Sequence, residues 1–193
     1  MYPNWFEITA IENFKNNLLP FADRKNLNFL QIGAYTGDAS KWLLENVLTH
    51  ESSRLTDVDT WLGSDEDVHN KMDWSDVERV YDEKIEQYKD KITKVKSDSL
   101  AFLRNEHPFT YDFIYIDGDH TALGVFSDAV GSFPLLKSYG VLAFDDYTWQ
   151  SGKSPEHEPR KGIHQFLKLA EGSYNLITNN SQIWIQCLDR TKI

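Results

Sequence analysis

The stretch NLNFLQIGAYTGDASKWLLENVL (26–48) decides the fold. Its first part, NLNFLQIG (26–33), is a short, largely apolar run closed by glycine, the pattern of a buried strand. In GDASKWLLENVL (37–48), Trp42, Leu43 and Val47 fall on one face at helical spacing. Strand, glycine turn and helix together open a parallel α/β unit. The glycines are spaced G-x-x-x-G, not the G-x-G-x-x-G of dinucleotide sites. Such a turn lets backbone amides approach a ligand closely, and it serves equally as a plain tight β–α turn.

Outward from this unit the alternation continues. Upstream, Ile8, Ile11, Phe14 and Leu18 predict a helix ending near Pro20, so residues 1–26 read as a helical cap. Downstream, strands are expected over 53–61, 91–96, 111–117 and 139–146. Helices are expected near 74–91, over 100–105, from 122 to 136 and over 161–170. YNLIT and QIWIQCL flank Asn179–Asn180 and read as a closing β-hairpin. The sum is an α/β fold in one domain over 1–193, with a mostly parallel seven-stranded sheet, a C-terminal antiparallel hairpin and helices on both faces. In such sheets ligands bind at the carboxyl ends of the strands.

Composition narrows the partners. A net charge of -10 argues against broad binding to phosphate backbones, so no nucleic-acid partner is expected. Cys187 is the only cysteine, which rules out an internal disulfide and a thiolate zinc cluster. MYPNWFEITAIENF lacks a basic, apolar signal pattern, and no stretch has the apolar length of a membrane span. The expectation is a soluble, cytoplasmic protein acting on a small molecule away from membranes. Self-association stays open.

Polar clusters fall at five predicted strand ends: 33–37, 57–61, 97–98, 117–120 and 145–146. One acidic strand end is commonly a helix cap, but five along one sheet edge are better explained by a binding cleft. Asp57 and Asp59 lie about 20 residues past the glycine turn, where an acid can hold ribose hydroxyls. Asp59, which closes LTDVD, is the stronger candidate; otherwise it caps the following turn. Ser97 and Asp98 would meet an adenine edge or cap the next helix.

YDFIYIDGDH (111–120) ends an apolar strand in Asp117 and His120, and Asp145 and Asp146 end the next strand. If those strands are neighbours, Asp117, Asp145 and Asp146 converge. Carboxylates that close need shared protons or a cation, and oxygen ligands favour Mg²⁺, Ca²⁺ or Mn²⁺. His120 stands on the same rim, where a neutral imidazole can take a proton from a substrate hydroxyl. His69 lies in a loop near the cleft. Trp61, Tyr147 and Trp149 lie near the expected mouth, where they stack on a sugar or aromatic ring or simply pack. The polar segment 150–162 is a lid or a loop.

These residues together resemble a known family. LQIGAYTG is similar to the S-adenosylmethionine (SAM) motif of class I methyltransferases, catechol O-methyltransferase in particular, with Gln31 where the family carries an acid. YIDGDHTALGVFSDAVGSFPLLKSYGVLAFDDYTW resembles the macrocin-type O-methyltransferases, with Asp-x-x-His after strand four and paired acids after strand five. The resemblance covers roughly 27–190 and implies a Rossmann-like class I methyltransferase fold. It implies that Gln31, Gly33, Ala34, Tyr35 and Gly37 line the methionine end of SAM. Asp59, followed by Thr60 and Trp61, would meet the ribose, Ser97 or Asp98 the adenine, and Asp117 would border the cofactor. It further makes Asp117, Asp145 and Asp146 ligands of a divalent metal, Mg²⁺ first, and His120 the general base. The implied reaction is O-methylation of a sugar or other hydroxylated metabolite. A metal-free SAM methyltransferase and a non-catalytic nucleotide-binding module are the competing readings.

Overall fold

The strand–turn–helix unit is present in the computed structural model, which describes residues 2–64, 69–150, 152 and 154–190. The strand is Asn28–Ile32 (β1) and the helix Asp38–Asn46 (α3). Before them, the expected N-terminal helix is split into Trp5–Thr9 (α1) and Ile11–Leu18 (α2), closed by a tight turn at Pro20. After them come Arg54–Asp59 (β2), Trp74–Ile85 (α4), Ile92–Lys96 (β3), Ser99–Leu103 (α5) and Tyr111–Ile116 (β4). Ala122–Ser132 (α6) stops earlier than its periodicity suggests, at a turn holding Pro134. Leu136–Phe144 (β5), Pro159–Leu169 (α7), Tyr174–Asn179 (β6) and Ile183–Cys187 (β7) complete the chain.

The seven strands form one sheet in the order β3-β2-β1-β4-β5-β7-β6. β1 to β5 run parallel, and β7 pairs antiparallel with both β5 and β6. The order reverses between β1 and β4, so the crevice for a ligand opens there, at the strands' carboxyl ends. β4 and β5 are neighbours, the condition for their terminal acids to meet.

Both sheet faces are covered. On one, Phe14 of α2 meets Phe113, Tyr115 and Trp184 at ring-centroid distances of 5.8, 4.9 and 5.3 Å. Edge-to-face packing of this kind adds about 0.5–1.5 kcal/mol per pair beyond area burial. On the other face, Ile114, Leu142 and Phe144 pack with Val125 and Ala129 of α6 and Ile163 and Phe166 of α7. A Cβ at Gly162 would stand 2.1 Å from the Ala122 carbonyl oxygen, so only glycine lets α7 lie that close to the start of α6. No helix of the described residues is long and apolar enough to cross a membrane.

Candidate active site

The five polar clusters stand side by side, because the parallel ladder continues one residue past each strand. Ser97 N–H bonds the Asp59 carbonyl, Gly33 N–H that of Val58, Asp117 N–H that of Ile32 and Asp145 N–H that of Ile116, at 2.8–3.0 Å. One edge of the sheet therefore carries, in order, the ends of β3, β2, β1, β4 and β5.

At the β1 end, Gly33, Tyr35 and Gly37 all have positive φ, at 87°, 49° and 77°. The chain thus turns sharply and presents two backbone amides to Asp59. The Asp59 carboxylate gathers them: its Oδ2 accepts from Ala34 N–H at 2.8 Å and Tyr35 N–H at 2.9 Å, and its Oδ1 from Trp61 N–H at 2.7 Å. A carboxylate offers about four acceptor positions, so one remains on Asp59 for a hydroxyl. Gln31, which is buried, acts locally: its Nε2 donates to the Gly33 carbonyl at 2.8 Å, and its Oε1 accepts from Ser40 at 3.4 Å. Tyr35 packs edge-on to Tyr2 and Trp74, and burial pushes its phenol up to about 12.

Trp61 departs from expectation. Its ring is 2% exposed, packs on Tyr81 at 4.8 Å, and its Nε1 donates to the Tyr35 carbonyl at 3.0 Å. The reason is local: with φ at 47°, the chain turns the side chain back into the core. Trp61 braces the glycine turn and does not line the mouth. Thr60 accepts from Leu62 N–H and shapes the same turn. Asp57, the lesser candidate, is wholly buried and accepts from the Tyr81 hydroxyl at 2.9 Å; burial pushes its carboxyl up to about 7. At the β3 end, Ser97 bonds the Asp98 carbonyl, and Asp98 caps α5 through Ala101 N–H at 3.0 Å.

At the β4 and β5 ends the converging set differs from the expected three acids. Asp117, His120 and Asp146 each offer a donor atom, and these atoms lie within 4.8 Å of one another. His120 Nε2 is 3.5 Å from Asp117 Oδ1 and 3.1 Å from Asp146 Oδ2. All three side chains are partly exposed. Burial at the strand end, and then the neighbouring Asp145 charge, push the Asp117 carboxyl well above the usual carboxylate range.

Asp145 turns the other way. It is 7% exposed and accepts from the Tyr115 hydroxyl, from Gln182 Nε2 at 3.0 Å and from Asp146 N–H at 2.8 Å. Side chains alternate across a strand, so consecutive acids cannot both face one cleft unless the backbone twists. Asp145 and Asp146 accordingly part, and Asp146, whose φ is 54°, carries its carboxylate to the cluster.

Around the cluster, the Trp149 ring lies 5.4 Å from that of His120. The Tyr147 hydroxyl meets His164 Nε2 at 2.7 Å, and the Arg160 guanidinium lies over the Tyr147 ring at 5.1 Å. His164 and Arg160 come from α7 and carried no sequence signal, since neither sits at a strand end. His69 is engaged with Ser64 at 2.7 Å and stands edge-on to Trp74. Within the segment expected as a lid or a loop, residues 151 and 153 lie outside the described residues.

A family model described as a methyltransferase domain matches residues 30–147. No curated protein matches the sequence. Solved structures match in fold at low identity. A protein from Corynebacterium glutamicum is 12% identical with a TM-score of 0.65, over 93% of this chain and 80% of its own. The O-methyltransferase from Bacillus cereus in complex with SAH is 19% identical with a TM-score of 0.59, over 97% of this chain and 92% of its own. The MycE methyltransferase of the mycinamycin biosynthetic pathway, in complex with Mg and SAH, is 14% identical with a TM-score of 0.62, over 92% of this chain and 48% of its own.

Proposed function

The chain belongs to the methyltransferase domain family, and from that premise we propose that it methylates a hydroxyl of a small molecule, with SAM as donor and a divalent cation as aid. The observation that carries this reading is the cluster of Asp117, His120 and Asp146 beside the glycine turn, on one sheet edge. The O-methyltransferase activity of the Bacillus cereus neighbour and the Mg bound with MycE support it.

SAM would supply an electrophilic methyl group on a sulfonium. The residues of the glycine turn would hold its amino-acid end, with the Gln31 amide fixing the turn from beneath. The remaining acceptor position of Asp59 would take a ribose hydroxyl. Asp98, exposed at the β3 end, would face the adenine. For a cation, the donor set fits: two carboxylates and an imidazole suit Mn²⁺, and the carboxylates alone suit Mg²⁺. A cation held there would lower the pKa of the acceptor hydroxyl and fix its direction. Trp149, beside His120, would offer a ring face to a sugar or an aromatic acceptor.

A second reading rests on the 3.1 Å contact between His120 Nε2 and Asp146. Without a cation, His120 would itself take the hydroxyl proton, and the two carboxylates would balance the charge it gains. Conversion of SAM to SAH with a panel of nucleoside-diphosphate sugars and catechols separates the two. In the cation reading EDTA abolishes turnover, and Mg²⁺ or Mn²⁺ restores it. Turnover indifferent to EDTA, but cut about a hundredfold by His120→Ala, assigns the proton to His120. Absence of SAH binding refutes both.

A further inference from the structure

We propose that Gln182 is a positioning residue for the Asp117–His120–Asp146 cluster, acting through Asp145. The inference rests on the reading of Asp146 as a donor in that cluster.

Asp146 has a left-handed backbone, with φ at 54°. Such a conformation costs a non-glycine residue energy, less for Asp than for most, and surrounding contacts help to hold it. Its N–H is held by Asp145 Oδ1 at 2.8 Å. Gln182 Nε2 donates to that same oxygen at 3.0 Å, and the Tyr115 hydroxyl donates to Oδ2. The Asp145 side chain is therefore fixed from below, and Asp146 is fixed on top of it.

Gln182 has one orientation open to it. Its side chain is fully buried, and its Oε1 accepts from Trp184 Nε1 and Asn13 Nδ2, both at 2.8 Å. Flipping the amide would set its NH₂ against two donors and its carbonyl against a carboxylate. Asn13 is itself held by Asn180, through bonds of 3.0 and 2.9 Å. Beyond Asp146, Tyr147 N–H bonds the Ser181 carbonyl at 2.9 Å. Both sides of Asp146 thus rest on the turn between β6 and β7, and that turn rests on α2.

Gln182→Met tests this, since it keeps side-chain length and burial while removing both polar atoms. Mn²⁺ binding, followed by electron paramagnetic resonance, should weaken about tenfold or more, the usual size for losing a group behind a ligand. SAH binding, measured by calorimetry, should stay at the wild-type value, which a general loosening of the fold would not allow. Asp146→Asn serves as reference. If Asp146→Asn weakens Mn²⁺ binding and Gln182→Met does not, the positioning role is overturned and the donor reading stands. If wild-type protein binds no Mn²⁺, the donor reading fails. Hydrogen exchange at the Asp146 amide, followed by NMR, then decides the positioning role. Faster exchange in Gln182→Met supports it, and wild-type exchange overturns it. Should Gln182→Met not fold, Asn13→Ala carries the same two readouts. It removes one bond to Gln182, so smaller shifts in the same direction are expected, and wild-type values in both overturn the role.

Discussion

Gly33→Ala probes the closest approach in the site. Gly33 has φ of 87°, and a Cβ there would stand 1.9 Å from the Asp117 carbonyl oxygen, 2.5 Å from its carbon and 2.8 Å from Gly118 Cα. All three atoms are backbone, so no side chain can swing aside. The left-handed conformation alone costs an L-residue about 1–2 kcal/mol. Relieving the contact means parting two strand ends that the 2.8 Å bond from Asp117 N–H to the Ile32 carbonyl holds together. Overpacking of that kind adds about 1–3 kcal/mol. At roughly 2–4 °C per kcal/mol for a chain of this size, Tm should fall by about 10 °C. Gly172→Ala isolates the first contribution, because Gly172 has φ of 80° with nothing within 4 Å. Its Tm should fall by about 5 °C. Scanning calorimetry of both variants, with an SAH titration of each, reads the difference. Gly33→Ala should also lose SAH binding, since the turn it distorts faces the crevice. Equal Tm losses with SAH binding intact would refute the backbone-to-backbone contact between the β1 turn and Asp117.

Burial raises Asp57 to about 7, above its unfolded value of about 3.9. The folded protein then keeps a proton that the unfolded chain loses between about pH 4 and 7, so stability falls as pH rises through that window. Asp57→Asn should remove this fall and be more stable than wild type at pH 8 but not at pH 5; urea midpoints that shift alike at both would refute the assignment. Asp59→Asn keeps one acceptor oxygen and turns an NH₂ toward backbone donors, either Trp61 N–H or those of Ala34 and Tyr35. It should lose about 2 kcal/mol and lower Tm by about 4–8 °C, with weaker SAH binding; an unchanged Tm would show that Asp59 does not gather the loop.

The sheet was legible because its central strands are buried on both faces. FIYI and VLAF are continuous apolar runs, FLQI is broken only by Gln31, and their helices carry one-sided periodicity. The edge of the site was legible for the same reason, since polar residues at the ends of such runs stand out. What escaped was side-chain direction at those ends. Trp61 sits at positive φ, where the alternation that guides strand reading no longer applies. Asp145 and Asp146 look equivalent in sequence, yet one is held in the interior and the other joins the cluster with Asp117 and His120. Gln182 and Asn13 escaped because a buried amide in a turn or among the polar residues of a helix gives no pattern. Their meaning lies in partners far along the chain.

That distance bears on the order in which the protein assembles. Gln182 bonds Asp145 across 37 positions and Asn13 across 169. During synthesis, β1 to β5 can pair while the hairpin residues are still inside the ribosome, and at that stage Asp145 and Tyr115 are in place behind Asp146 but the bonds from Gln182 and Ser181 are not. Long-range contacts are paid for late, after the local ones. The cluster therefore takes its working shape last, when the hairpin slots in beside β5 and α2 closes over Phe113, Tyr115 and Trp184. A chain cut short of Gln182 would carry every residue of the cluster and still leave Asp146 without its support.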